Sequence, residues 1–482
     1  MNRSYTIVVC AILVLTINLA GCKKLVNVSP PITALGSPVV FGSDATAIAA
    51  VTNMYTSMIN NYLNGGVISL SFYPELSADN LTLYSGETDQ SILGYYRNAL
   101  TNTNTGTNDF WVDFLYPAIY DANANIEGLN RSSGLTPAIE QQLLGESEFM
   151  RAFYYFYLVN LYGDVPLVLT TNYKANEGLV RAPQSQVWQQ IIADLHDAGK
   201  LLSNNYLDAT ILNNTNQRVR PTIWAADALL ARACLYTGDW SGADSAATAL
   251  INNSSLFSLD TLNGVFLANS NEAIWQLQPV QSGWNTPDAQ FYIIPSTGPS
   301  SSWPVYLSPQ LLNSFEAGDQ RRVGGNWVDS VIAGGTTYYY PYKYKSATFG
   351  VAVTEYEMVL RLGEQYLIRA EAEANGAGGG TNAAIMDLNM IRARAGLPGY
   401  AGAIDKTSVL NAILHERQVE LFTEWGNRWL DLKRTSTVNE VMSAVTPIKS
   451  GGVTTWNVNQ QWYPIALGEL QADPNLSQNN GY

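Results

Sequence analysis

Cysteine is nearly absent from this 482-residue chain, with three in all: Cys10, Cys22 and Cys234. No disulfide framework can hold such a protein, so its fold must rest on an apolar core. Histidine is scarcer still, at His196 and His415, far apart in sequence. That removes zinc-type ligand spacing and any Ser/His/Asp or Cys/His set. Cys234 lies in the apolar helical stretch "WAADALLARACLYTGDW" and reads as a small buried hydrophobe, not a nucleophile. Charge is also thin: 14% of residues are charged, the net charge is −14, and no basic patch appears. Phosphate-rich partners need such patches, so nucleic acid is not expected. The glycine runs are not followed by Lys-Ser/Thr, and "GAGGG" reads as a turn rather than a phosphate cradle. No EF-hand loop is present and no cofactor is expected; a hard cation on loop carboxylates, for example around Asp288, stays open.

Long apolar runs are missing except near the start, where Ile7 to Leu19 is broken by Thr16 and Asn18. A membrane span needs about 20 largely apolar residues, and with Arg3 ahead of it this run reads as a secretory signal. "TINLAGCKK" then poses the question of what Cys22 is for. The tetrapeptide Leu19-Ala20-Gly21-Cys22 resembles the lipobox of bacterial lipoproteins, in which the cysteine is acylated and becomes the first mature residue. Residues 1–21 are therefore expected to be a signal peptide and 22–42, with Pro30, Pro31 and Pro38, an extended tether. Residues 43–482 are expected to form a single domain.

Helical periodicity dominates that domain. Ile48, Val51, Tyr55, Met58 and Tyr62 recur at spacings of three and four. Further helices are predicted over Trp111 to Asn130 with Pro117 kinking or restarting the chain, and from Pro137 to a stop at Gly163. Others are predicted over 185–202, 222–236, 241–252, 359–374, 382–395 and 406–425. Two regions, "WAADALLARACLYTGDWSGADSAATALI" and "GEQYLIRAEAEANGAGGGTNAAIMDLNMIRARAG", pair an Ala-rich helix with a second across a Gly turn. This is the grammar of degenerate tetratricopeptide units. Between about 257 and 356, Gly, Pro, Ser and Asn alternate with aromatics, which predicts loops and short strands laid on the helical scaffold. In "HERQVELFTEWGNRWLDLKR", Glu416, Glu420 and Glu424 are spaced to share a helical face. A glycosidase needs paired carboxylates, but the nearby cations point to salt-bridge networks instead.

Several segments together resemble the SusD/RagB family of outer-membrane lipoproteins of Bacteroidetes. They are "ESEFMRAFYYFYLVNLYGDVPLV", "EQYLIRAEAEANG" with "LNMIRARAGLP", "ILHERQVELFTEWGNRWLDLKR", and the closing "YPIALGEL" and "DPNLSQNNGY". The chain departs from the family at Lys23-Lys24, where exported members often carry acidic residues. The resemblance implies a mainly α, SusD-like fold with a loop-rich binding lobe, and a surface glycan- or nutrient-binding role without catalysis. It also implies a SusC-like TonB-dependent transporter as partner and membrane anchoring through the acylated Cys22.

Sugars offer flat C–H faces that aromatic rings cover, with amides, carboxylates or Arg at the rim. Trp284, Tyr292, Trp303 and Tyr306 fit as rings, with Asn285 and Asp288 as polar partners. A second set, Tyr73, Tyr84, Tyr95 and Arg97, comes from the N-terminal loops that the resemblance places near the ligand face. The cluster Phe153 to Tyr157, which surrounds its helix, is read as packing. Competing readings are a surface glycoside hydrolase and a binder of peptide or other nutrients.

Overall fold

A computed structural model describes residues 37–60, 67–104 and 110–482. The expected signal peptide, Cys22 and most of the expected tether lie outside the described residues. The described end of that tether is not extended: Ser37–Val40 is a helical turn and Phe41 is buried in the core.

The axis of the fold is the 26-residue helix Pro137–Tyr162. Phe153, Tyr154, Tyr155, Phe156 and Tyr157 are all buried, because elements cover the helix on every side. Helices Tyr116–Asn130 and Gln184–Leu201 pack along it. Trp275 and Trp425 meet Phe153 edge-on at 5.8 and 5.6 Å. Gly145 permits the approach of Gln184–Leu201, since a β-carbon there would stand 2.9 Å from Leu201 Cβ. Pro117 lies in the first turn of Tyr116–Asn130, directly after a π-type turn at Phe110–Leu115, so it restarts the chain.

The two repeat-type pairs are present as Ile223–Thr237 with Trp240–Ile251 and Leu362–Ala374 with Gly380–Arg394. They stack on one another: Ala231, Cys234, Ala243 and Ala247 are buried together with Ile368 and Ala372. The small side chains allow that close contact. No described helix is long and apolar enough to cross a membrane.

Strands contribute only four separate two-stranded antiparallel ribbons among the described residues. Three join distant segments: Leu81–Leu83 with Val305–Leu307, Val165–Pro166 with Arg181–Ala182, and Ala273–Leu277 with Glu357–Arg361. The fourth is a hairpin of Val328–Ala333 and Thr336–Pro341. Its two-residue turn, Gly334–Gly335, has φ of +57° and +79°, a shape that suits the twist of a hairpin.

Three expectations change. Residues 357–361 are a fully buried strand before the helix Leu362–Ala374, and a short apolar run gives no periodicity to tell strand from helix. The helix Lys406–Leu421 stops before Glu424: Thr423, Trp425 and Gly426 take positive φ, and Asn427–Arg434 begins anew. "SFYPE", expected as loop, lies in the helix Val67–Ser77 with Pro74 inside it. Residues 68–77 are buried on all sides, so no amphipathic stripe marks that helix in the sequence.

The loop-rich lobe is pinned to the helices by buried charge. Arg321 reaches Glu416 at 2.7 Å and Glu420 at 2.9 Å, while Arg361 reaches Glu420 at 2.7 Å, Glu424 at 2.7 Å and Glu272 at 3.0 Å. Arg394 bridges Glu272 and Glu420, and Lys343 from beyond the hairpin binds Glu424. The three glutamates are thus in ion pairs as expected, but their partners are distant in sequence. The neighbouring cations pair elsewhere, Arg417 and Arg434 with Asp431 and Arg428 with Asp79. Burial would raise Glu420, yet Arg394, Arg361 and Arg321 outweigh it and hold its carboxyl well below the usual range.

Candidate functional site

The ribbon Leu81–Leu83/Val305–Leu307 sets the candidate surface. Strand alternation sends Leu81, Leu83, Val305 and Leu307 into the core and leaves Thr82 and its partner Tyr306 half-buried on the outer face. The Tyr84 amide extends the pairing by donating to the Pro304 carbonyl at 2.6 Å, which puts half-buried Tyr84 beside this face. Tyr338 of the hairpin meets Tyr306 edge-on, centroids 5.1 Å apart. Two half-buried tyrosines, one from the ribbon and one from the hairpin, therefore join on one patch, with Tyr84 at its edge. Arg97, partly exposed, follows the helix Gln90–Tyr96; burial raises the Tyr96 phenol, to which Tyr306 and Arg97 are both near.

Trp303 is half-buried and its indole Nε1 donates to the Gln290 carbonyl at 3.0 Å. That bond ties it to the short helix Pro287–Tyr292, which Thr286 caps through its hydroxyl. Just before this helix, Trp284 packs on Phe349 with centroids 5.3 Å apart, and Phe349 is 65% exposed. These two rings form a second patch at the other end of the same helix.

Five sequence-selected residues are not on a surface. Tyr73 and Tyr95 are each 1% exposed and stack on one another at 4.6 Å, with Phe110 and Tyr463 around them. Tyr73 belongs to the all-round-buried helix Val67–Ser77, so neither ring can offer a face to a ligand in this conformation. Tyr292 is 3% exposed and packs against Phe291. Asn285 is a buried latch: its Oδ1 accepts from the Thr354 and Glu355 amides at 2.8 and 3.0 Å, and its Nδ2 donates to the Ala352 carbonyl at 3.2 Å. It holds the Trp284 segment to the segment carrying Phe349 instead of meeting a sugar rim.

Asp288 is likewise buried, beside a cavity of about 10 Å³ that Tyr292, Lys343, Tyr344 and Glu424 also line. Burial and then the Glu424 charge push its carboxyl up to about 8, so it stays protonated near neutrality. Burial also lowers the Lys343 amine to about 8, despite Glu424. Burial and the Asp239 charge push the Cys234 thiol up to about 12, in keeping with a small core residue. Among the described residues no three potential ligands of His, Cys, Asp or Glu type converge on a metal position.

Tyr338 and Phe349 were not singled out from sequence. Both lie in the aromatic-rich stretch "GGTTYYYPYKYKSATFG", and the signal that could have found Tyr338 is the Gly334–Gly335 turn, which fixes the alternation of the strand after it.

Comparison with known proteins agrees with this architecture. Residues 325–482 match the model of the SusD family, and residues 36–235 match a family described as starch-binding and associating with the outer membrane. The chain is 25% identical to SusD-like protein P2 of Formosa agariphila, with 98% of each chain covered. Its fold is similar to a SusD superfamily protein from Bacteroides vulgatus, with a TM-score of 0.76 and 23% identity over 91% of this chain and 99% of that one. It is similar also to surface glycan-binding protein A from Bacteroides thetaiotaomicron, solved with laminarihexaose, with a TM-score of 0.74 and 19% identity over 91% and 100%. The chain belongs to the SusD/RagB family.

Proposed function

We propose that this protein captures an oligosaccharide at the outer membrane, to which acylated Cys22 would anchor it facing the cell exterior, and passes it to a SusC-like TonB-dependent transporter. The observation that carries the reading is the Tyr306–Tyr338 patch, with Tyr84 beside it: partly exposed rings on a ribbon whose other face is core. Such a platform meets the C–H faces of sugar rings, and Arg97 and Thr82 supply donors at its edge. The glycan-binding description of the matched family and the laminarihexaose complex of a protein of the same fold support the choice of ligand class. The glutamates that a hydrolase reading would use are held in ion pairs with buried cations, which favours binding over turnover.

The test is affinity electrophoresis and calorimetry on a panel of neutral glycans that includes laminarin. Tyr306→Ala, Trp303→Ala and Trp284→Ala should each weaken binding by about 1 kcal/mol, roughly fivefold. Unchanged affinity in all three would refute the platform, and shortening of the glycan on incubation would make the protein a hydrolase.

A further inference from the structure

The helix Asp44–Asn60, the segment 207–220 and the residues at and after the end of the strand Ala273–Leu277 line a half-open cavity of about 300 Å³, to which none of Tyr84, Trp284, Trp303, Tyr306, Tyr338 and Phe349 contributes. One wall of it is rigidly assembled. Arg220 donates to Glu146 at 2.8 Å and to the Thr52 hydroxyl at 3.0 Å, and the Tyr55 hydroxyl donates to the same Glu146 oxygen at 2.7 Å. Tyr55 is held in turn edge-on to buried Trp275, centroids 6.0 Å apart. Arg220 and fully buried Glu146 cancel one another, so this wall carries polarity without net charge.

The remaining lining has two chemistries. Leu207, Val219, Leu277 and Val280 supply aliphatic surface, whereas Thr56, Thr215, Gln217 and Gln278 supply hydroxyls and amides. The Gln217 oxygen accepts from Asn269 and Tyr356, which leaves its amide hydrogens to face a ligand. The Gln278 side chain makes no hydrogen bond among the described residues and is exposed.

We propose that this cavity is a second ligand site, shaped for one neutral, pyranose-sized polyol. An anion would find Arg220 already neutralised and Asp208 on the lining, and a cation would find Glu146 committed to Arg220 and the Asp208 oxygens already accepting from Thr210 and Asn213. A wholly apolar molecule would strand the hydroxyls and amides without partners. A sugar ring satisfies both halves of the lining, with C–H faces on the aliphatic residues and hydroxyls on the threonines and glutamines. The volume lies at the bottom of the roughly 300–1,000 Å³ range of small-molecule sites, which suits a single ring. This site stands on its own lining and does not depend on the aromatic platform.

The experiment is saturation-transfer NMR and titration of the full chain with glucose, galactose, mannose, xylose and N-acetylglucosamine, with glucuronate and glucosamine as charged controls. At least one neutral sugar should bind in the millimolar range and the charged ones more weakly. Val280→Trp, a rim change at a residue 42% exposed and so tolerated by the fold, should weaken that binding at least tenfold. Gln278→Ala should weaken it severalfold, and Tyr306→Ala should leave it within twofold. Absence of binding by every neutral sugar at about 100 mM overturns the proposal. So does binding that survives Val280→Trp, or that Tyr306→Ala abolishes, since the sugar would then sit on the platform. Tighter binding of a charged control overturns the assigned ligand class.

Discussion

Glu420→Gln tests whether the buried ion network holds the lobe to the scaffold. The carboxylate faces Arg361 at 2.7 Å, Arg321 at 2.9 Å, and Arg394, and all four side chains are at most 7% exposed. At an effective dielectric near 20, each such pair attracts by about 4 kcal/mol. The desolvation that the carboxylate suffers and glutamine avoids offsets most of that sum, and each arginine keeps another acidic partner: Glu272 and Glu424 for Arg361, Asp319 and Glu416 for Arg321, Glu272 for Arg394. About 3–5 kcal/mol should be lost, the range for breaking a buried pair from one side. Urea unfolding at neutral pH reads this directly, with Asp197→Asn as control. Asp197 pairs with Lys200 at 2.7 Å on the surface, and its loss should cost about 0–1 kcal/mol. A second signature lies in acid. Because the folded-state Glu420 is held well below its unfolded value, its stabilisation is complete above about pH 4.3 and drains away as pH falls through the folded value. The gap between wild type and variant should therefore narrow below pH 4. A variant within 1 kcal/mol of wild type at neutral pH, or a gap that does not change in acid, would refute the electrostatic account.

Other outcomes follow from single side chains. Asn285→Ala unpairs three backbone groups and should cost about 2–3 kcal/mol, with protease cleavage appearing first in segments 281–285 and 349–355; uniform cleavage would mean the latch is not local. Asp288, raised to about 8 when folded, costs stability as pH climbs from about 4 towards 8, by up to 1.4 kcal/mol per pH unit. Asp288→Asn should flatten that decline in a melting series from pH 4 to 9, and parallel curves would contradict it. Tyr73→Ala should cost about 3–5 kcal/mol as a core cavity while the folded variant keeps glycan affinity within twofold, the reverse of Tyr306→Ala. Gly145→Val should lower the melting temperature through overpacking of at least 1–3 kcal/mol, since its β-carbon would meet Leu201.

The sequence made the scaffold readable where helices keep one wet face. Ala243, Ala246 and Ala247 repeat at helical spacing beside an αL glycine, Gly238, and that pattern leads directly to the stacked pair. It failed where burial is complete on all sides. The helix Val67–Ser77 and the strand Glu357–Arg361 have no solvent face, so periodicity carried no information about either. The same physics governs the candidate site. An aromatic in a Gly/Pro/Ser-rich stretch was expected to be available to ligand, yet Tyr292 and Asp288 sit on a helical turn capped by Thr286 and are drawn inward, while Tyr306 stays outside. What separated them is strand register: Tyr306 pairs with Thr82, more than two hundred residues away, and no local pattern encodes that partner.

That long-range pairing links the ion network to the platform. A ring that binds sugar through C–H contacts gains about a kilocalorie per contact, so any freedom it loses on binding cancels much of the gain. The rings must be fixed beforehand. Tyr338 is fixed because its hairpin leads into Lys343, which donates to the Glu420 and Phe422 carbonyls at 2.8 Å and pairs with Glu424. Trp303 is fixed through the helix Pro287–Tyr292, whose Asp288 lies within the electrostatic reach of Glu424 and Lys343. Tyr306 is fixed from behind by Leu81, Leu83, Val305 and Leu307. Glu424 thus stands behind both the hairpin and the helix that anchors Trp303, and the segment that places it, with Thr423 and Trp425 at positive φ, is where the predicted helix 406–425 breaks. The departure from the sequence pattern has a consequence: the Glu424 carboxylate meets Lys343 and Arg361 together from a segment that has left the helix carrying Glu416 and Glu420.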